Sequence, residues 1–227
     1  MKLRHYGLLL PALALLIFAG CGDDDTVDPA DPMARTQVLF AADALTGADV
    51  VIDGEDFAMS GIFGDLVPYD SVRATNVTVK VRNSGTGNDL YEQTLNFVES
   101  QDYTMFVVND TAGVVDIIRY RDDLTPPASG KALVRFAHLI YDGPTSRVVL
   151  QGTGIRLTDS VSYGEITEIF NTYDPGSFSL RMIDTALSGG GATPVVQDSV
   201  TFEAGGIYTV AAIGSEAQGE IRVIRHN

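Results

Sequence analysis

The sequence predicts an all-β protein: two tandem antiparallel β-sandwich domains, immunoglobulin-like or transthyretin-like, behind a signal peptide and a flexible tether. Three observations predict it. Val, Ile, Thr, Tyr and Phe recur in short runs, many of them alternating, with turn residues between. No tract carries a helical apolar stripe over three turns. The second half of the chain repeats the arrangement of the first.

Residues 1–20 come first. Lys2, Arg4 and His5 form a basic start, and the stretch from Leu8 to Phe18 is uncharged. That stretch falls short of the about 20 apolar residues a spanning helix needs and suits the apolar segment of a secretion signal. Phe18-Ala19-Gly20-Cys21 resembles the lipobox of bacterial lipoproteins, with Phe18 where Leu is usual. Small side chains at Ala19 and Gly20 let the backbone enter a peptidase cleft, and the Cys21 thiol is the atom that takes the lipid. Cys21 is also the one cysteine of the sequence, so no intramolecular disulfide explains it, whereas lipidation does.

Residues 21–33 follow as an acidic tether. Asp23, Asp24, Asp25, Asp28 and Asp31 alternate with Pro29 and Pro32, and so few apolar groups cannot bury enough surface to fold. Asp23, Asp24 and Asp25 could hold a divalent cation weakly, but the composition favours a solvated, self-repelling spacer. Acidic residues directly after a lipidated cysteine resemble the surface-export signal of lipoproteins in some Gram-negative phyla. The expected location is therefore the cell envelope, lipid-anchored, in the outer membrane and exposed at the surface.

The sequence carries 15 basic and 30 acidic side chains, a formal charge of −15. Removing the signal takes Lys2 and Arg4 and leaves −17 on the mature chain. Such a balance repels nucleic acid and anionic headgroups, so the expected membrane contact is through the acyl chains only.

Residues 34–123 are expected to form the first sandwich. Gln37–Ala41, Asp49–Ile52, Asn76–Val81, Gln93–Phe97, Tyr103–Val108 and Val114–Tyr120 read as its strands. Asp53-Gly54, the stretch from Asn83 to Asn88, and Asn109-Asp110 read as turns. Residues 124–130, with Pro126 and Pro127, read as a linker, and residues 131–227 as the second sandwich. Val38-Leu39-Phe40-Ala41 matches Val134-Arg135-Phe136-Ala137, Val67-Pro68-Tyr69 matches Val161-Ser162-Tyr163, and Phe97 through Thr104 matches Phe202 through Thr209. The largest length difference falls near the Gly-rich Ser188–Ala192 connection.

Val134-Arg135-Phe136-Ala137-His138, Ser162-Tyr163-Gly164, Pro175 through Leu180, and Phe202 through Gly214 together resemble the bacterial family known as domain of unknown function 4397. The resemblance covers most of residues 131–214 and, more weakly, 34–120. Ala42 stands where the second half has His138, and Glu99-Ser100-Gln101-Asp102 stands where the family prefers a small, Gly-containing turn. The resemblance implies secreted or lipid-anchored β proteins, often in tandem copies, and no activity.

The repeated residues read as structural. Gly205 and Gly206 suit positive φ before a strand, Tyr208 suits a ring on the core with its hydroxyl at a loop carbonyl, and Pro175-Gly176 suits a type II turn. No constellation carries chemistry. His138 has no His or Cys partner in its half, His226 lies next to a terminus of the kind that often frays, and no Gly-x-Ser-x-Gly occurs. The Asn83–Gly87 stretch lacks the Lys-Ser/Thr of a phosphate loop. Asp53, Glu55 and Asp56 flank a turn without the ligand pattern of a calcium loop. The expectation is a protein with no catalytic, cofactor or metal residues and one modified residue, Cys21. It would be a non-catalytic binding or display module with an envelope protein or glycan as partner. The alternatives are an assembly subunit of the envelope and a carboxylate-dependent hydrolase.

Overall fold

Strands carry the regular structure of the protein in its computed structural model, which describes residues 31–167, 169–187 and 192–227. Residues 1–20, read from the sequence as a signal peptide, lie outside the described residues with Cys21 and Asp23–Asp25, as does most of the Gly-rich connection at 188–191. The first half contributes β1 (Met33–Phe40), β2 (Ala48–Ile52), β3 (Glu55–Gly61), β4 (Leu66–Arg73), β5 (Asn76–Asn83), β6 (Asp89–Asn96), β7 (Asp102–Asn109) and β8 (Val115–Asp122). The second contributes β9 (Ala132–Ile140), β10 (Ser146–Leu150), β11 (Ile155–Val161), β12 (Asn171–Tyr173), β13 (Gly176–Asp184), β14 (Val196–Phe202), β15 (Ile207–Gly214) and β16 (Glu220–Arg225).

Each half is a sandwich of two four-stranded sheets. The orders are β3-β2-β5-β6 and β4-β1-β7-β8 in the first half, and β11-β10-β13-β14 and β12-β9-β15-β16 in the second. Pairing is antiparallel except in the middle of one sheet per half. There β1 runs parallel to β7, and β9 parallel to β15, a feature absent from the antiparallel expectation. A parallel neighbour cannot be reached by a hairpin, so the strands between β1 and β7 must cross to the opposite sheet and back.

Alternation places one face of each sheet in its own core. Val38, Phe40, Val50, Val79, Val81, Met105 and Val107 fill the first core, and Phe136, Val148, Leu180, Met182, Phe202 and Val210 fill the second. A third core lies between the halves. Leu39, Ala41, Phe106 and Val108 from β1, β7 and the residue after β1 meet Ala137, Leu139, Ala211, Ile213 and Ile224 from β9, β15 and β16. The molecule is thus four sheets deep, and β1, β7, β9 and β15 are covered on both faces, which explains their nearly unbroken apolar runs. Side chains cross this junction closely: a Cβ on Gly64 would come within 2.2 Å of the Arg222 guanidinium, and one on Gly214 within 3.0 Å of the Phe63 ring.

The internal repeat is real in its architecture but shifted in register. Val38 pairs with Met105, whereas Phe136 pairs with Val210, so Phe136 is the counterpart of Val38 and His138 that of Phe40. The loop contacts agree. Gly64 N–H donates to Phe40 O and Gly164 N–H to His138 O, at 2.8 and 2.9 Å. Likewise the Ile62 amide reaches Asp65 Oδ2 at 3.0 Å and the Ser162 amide reaches Glu165 Oε2 at 2.7 Å. Val161-Ser162-Tyr163 therefore corresponds to Gly61-Ile62-Phe63, not to Val67-Pro68-Tyr69. Both slips are by an even number of residues and so preserve which face each side chain takes, and apolar patterning cannot detect them.

The third match holds in detail. Tyr208 OH accepts the Glu203 amide at 3.0 Å, and Tyr103 OH accepts the Val98 amide at 3.2 Å. The partner is a loop N–H rather than the expected carbonyl. Gly205 has φ +83, as expected, but Gly206 does not have positive φ and is required for space: a Cβ there would stand 2.3 Å from the Tyr208 ring. Gly176 opens β13 with φ +157, not the φ near +80° of a type II turn. Gly206→Ala is expected to destabilise the fold by about 1–3 kcal/mol through overpacking. Chemical denaturation checks this, and in a Tyr208→Ala background the penalty should vanish, since the clashing ring is gone.

Candidate functional site

Two features collect polar side chains. The first is a sealed network at the junction of the halves. The strands covered on both faces each bring a buried polar residue to it: Gln37 from β1, Thr104 from β7, Arg135 from β9 and Thr209 from β15. Asp122 ends β8, Tyr69 comes from β4, and His226 follows β16. Arg135 and Asp122 form an ion pair with side chains 2% and 0% exposed. Asp122 Oδ2 also accepts Tyr69 OH at 2.6 Å and Thr104 Oγ1–H at 2.7 Å. Arg135 donates from Nε to Thr209 Oγ1 at 2.8 Å and from Nη1 to Arg121 O at 2.9 Å, and its guanidinium lies 4.4 Å from the Phe170 ring centre.

His226 joins the two halves. Gln37 Nε2 donates to both Thr104 Oγ1 (2.9 Å) and His226 Nδ1 (3.0 Å). With Nδ1 an acceptor, the ring proton sits on Nε2 and is donated to Thr209 Oγ1 at 2.7 Å. Tyr69 OH stands 2.8 Å from Nδ1, so its one proton serves that nitrogen and Asp122 together. Burial, with Arg135 adding to it and Asp122 opposing, brings the imidazole down to about 4. Burial beside Asp122 holds the Tyr69 phenol well above its usual range, and burial lowers the Arg135 guanidinium against the pull of Asp122.

His226 is thus far from frayed. Its amide donates to Ile207 O at 2.9 Å, and Asn227 holds the Ile207 amide at 3.0 Å and Gly205 O at 2.7 Å. The network has an acid, a base and hydroxyls within reach of one another, yet its central side chains are solvent-free, so substrate has no approach. Its chemistry is that of a joint. His138 is likewise structural: its Nε2 reaches Pro144 O at 3.1 Å, its Nδ1 accepts the Ile140 amide at 3.3 Å, and burial lowers its basicity.

The second feature is open. A groove of about 900 Å³ crosses the outer face of the sheet β11-β10-β13-β14. Val149 and Ile183 lie in it between Arg147, Arg156 and Arg181, and Asp159 is the one carboxylate in its lining among the described residues. Arg147 Nη2 donates to Leu187 O at 2.9 Å and Arg181 Nη2 to Ala192 O at 2.6 Å, while Arg156 pairs with Asp159. Arg181 Nε is buried without a hydrogen-bond partner among the described residues. A smaller cleft of about 520 Å³ lies under the Pro126-Pro127 segment, beside Phe170 and Arg121.

The other residues singled out in the sequence stay apart. Asp53 (φ +51) and Gly54 (φ +90) make the β2–β3 hairpin turn, and Asp53 Oδ1 accepts the Thr78 amide at 2.8 Å. Glu55 and Asp56 are exposed on β3. Asn83 Oδ1 organises its own loop by accepting the Gly85 and Thr86 amides at 3.1 and 2.9 Å. Among the described residues no group of three or more His, Cys, Asp or Glu side chains is placed to hold a metal.

No curated protein matches the chain. A family 26 carbohydrate-binding module from Eubacterium rectale, solved with maltoheptaose, is similar at a TM-score of 0.27 and 14% identity, over 85% of this chain and 96% of that one. A structure of α-glucan recognition by family 41 carbohydrate-binding modules from streptococcal virulence factors is similar at a TM-score of 0.26 and 12% identity, over 84% and 96%. The family described as Domain of unknown function (DUF4397) matches residues 34–149. That span runs from β1 into β10, so it takes in residues 34–120, where the motifs are weaker, and the opening strands of residues 131–214, where they are clearer. With half of its length matched, the chain belongs to the DUF4397 family.

Proposed function

We propose that the protein is a non-catalytic binding module of the cell envelope, anchored by lipid on Cys21 and presenting the outer-sheet groove of its second half to a ligand. The observation that carries the reading is that groove: it is open, it is lined by cations and apolar side chains, and its one acid is engaged by Arg156. A carboxylate-dependent glycoside hydrolase needs a proton donor and a second carboxylate flanking the scissile bond, and among the described residues this lining supplies one carboxylate. The network that does hold acid and base is sealed.

Anchoring is supported by the apolar segment ending in Phe18-Ala19-Gly20-Cys21 and by the acidic spacer that follows it. A cell grown with labelled palmitate should label the wild-type protein and leave Cys21→Ser unlabelled, with the variant moving from the membrane to the soluble fraction. Label on Cys21→Ser, or unchanged fractionation, would sink the anchor. For binding, immobilised protein should retain an envelope or extracellular polymer without shortening it. Release of fragments, or no retention of any polymer, would overturn the binding reading.

A further inference from the structure

The two halves present equivalent outer sheets that differ in charge compensation. Val51 pairs with Lys80 across β2 and β5 as Val149 pairs with Arg181 across β10 and β13. On the next strand, Glu92 stands opposite Lys80, and Gln197 stands opposite Arg181. So the first half neutralises its cations: Lys80 contacts Asp89 at 2.8 Å and Glu92 at 2.9 Å, and Arg82 contacts Asp89 at 3.4 Å. In the second half a neutral amide replaces the carboxylate. Arg181 and Arg147 reach only backbone carbonyls among the described residues, and Arg181 Nε reaches nothing.

Two guanidiniums without a carboxylate partner among the described residues, in one groove on a chain this acidic, are an arrangement for an anion. Charges farther off than about 10 Å are largely screened at 0.1 M salt, so the groove acts through its own lining. The planar fork of arginine matches a carboxylate in two parallel hydrogen bonds. The groove lies largely on a sheet face, where the amides and carbonyls of β10 and β13 are spent on the ladder, so an extended peptide would find main-chain partners only at the β11 edge and the turn before it. Among the described residues no aromatic ring lines it, so a neutral sugar lacks a stacking platform there.

We propose that this groove binds an acidic polysaccharide of the uronate type, its ring carboxylates paired with Arg147 and Arg181 and an apolar ring face resting on Val149. The inference rests on the binding-module reading above. The test uses the full mature chain carrying Cys21→Ser, titrated with polygalacturonate and alginate, with amylose as the neutral polymer and poly-glutamate as the acidic peptide. The uronates should bind, about tenfold more weakly after Arg147→Gln or Arg181→Gln and on the order of a hundredfold more weakly after both. Lys80→Gln, at the equivalent place in the first half, should change nothing. Asp159→Asn should tighten binding severalfold by freeing Arg156, a gain that no misfolded variant can imitate. Uronate binding indifferent to these substitutions, or amylose bound as well as the uronates, overturns the ligand assignment and leaves the binding module standing. Preference for poly-glutamate overturns it in favour of a peptide. Binding of no polymer at all removes both.

Discussion

Asp122→Ala is expected to destabilise the protein by about 3–5 kcal/mol, the usual cost of stripping the partner from a buried charge. The loss is larger than one ion pair because Asp122 serves three donors at once: Arg135, Tyr69 and Thr104. Arg135 retains Thr209 Oγ1 and Arg121 O but no anion, in a site with no solvent to replace one. Arg135→Leu should cost a similar amount, for it orphans Asp122. The double variant Asp122→Ala, Arg135→Leu should cost clearly less than the two singles together, since neither charge is then left alone. Urea denaturation followed by fluorescence and by circular dichroism gives all four values. Additive costs would mean that the pair is not coupled. The same curves report whether the halves unfold together. A third apolar core spans them, so the wild type should show one coincident transition, and Asp122→Ala should be the variant in which the two probes separate.

The sandwich class was legible because period-two patterning and turn residues are local signals. Asn76–Val81 alternates cleanly and became β5, and Asp53-Gly54 became the β2–β3 turn. The strands it left out, β3 and β4, are largely exposed, and Pro68 interrupts β4. Their pairing is dictated by β2 and β1, not by their own residues. The layered packing of the halves had a signal that went unread: Met105 to Val108 and Val210 to Ile213 are unbroken apolar runs, and such runs mark strands covered on both faces rather than one.

The joint and the groove were not legible, for a different reason. Gln37, Tyr69, Thr104, Asp122, Arg135, Thr209 and His226 come from seven separate places, and no spacing relates them. The faint trace is the Tyr-Thr pair shared by Tyr103-Thr104 and Tyr208-Thr209, which sets one hydroxyl per half on the junction side of an apolar strand. Arg147, Arg156 and Arg181 likewise sit on three strands, and only the pairing register shows that Gln197 stands where the first half has Glu92.

Acid should loosen this joint through His226. In the folded protein the imidazole is held neutral, down to about 4, by burial; in the unfolded chain it titrates near the ordinary histidine value of about 6.5. A group whose folded value is depressed binds fewer protons folded than unfolded throughout that interval. Its contribution is therefore intact above about pH 6.5, falls as pH drops toward 4, and is fully lost below, by about 3 kcal/mol in all. The geometry gives the reason. Protonated at both nitrogens, His226 would present Nδ1–H to Gln37 Nε2, itself a donor, and would place a second cation beside Arg135. His226→Gln keeps polar atoms at the site without a titrating proton. Denaturation free energies from pH 8 to pH 4 should then fall less for the variant than for the wild type. The difference curve should be flat above pH 7 and bend between 6.5 and 4, because carboxylates elsewhere titrate alike in both proteins and cancel. His138, also depressed by burial, cancels for the same reason. Parallel curves would show that His226 is not held neutral in the fold, and the joint would then have to be hydrated where the geometry makes it dry.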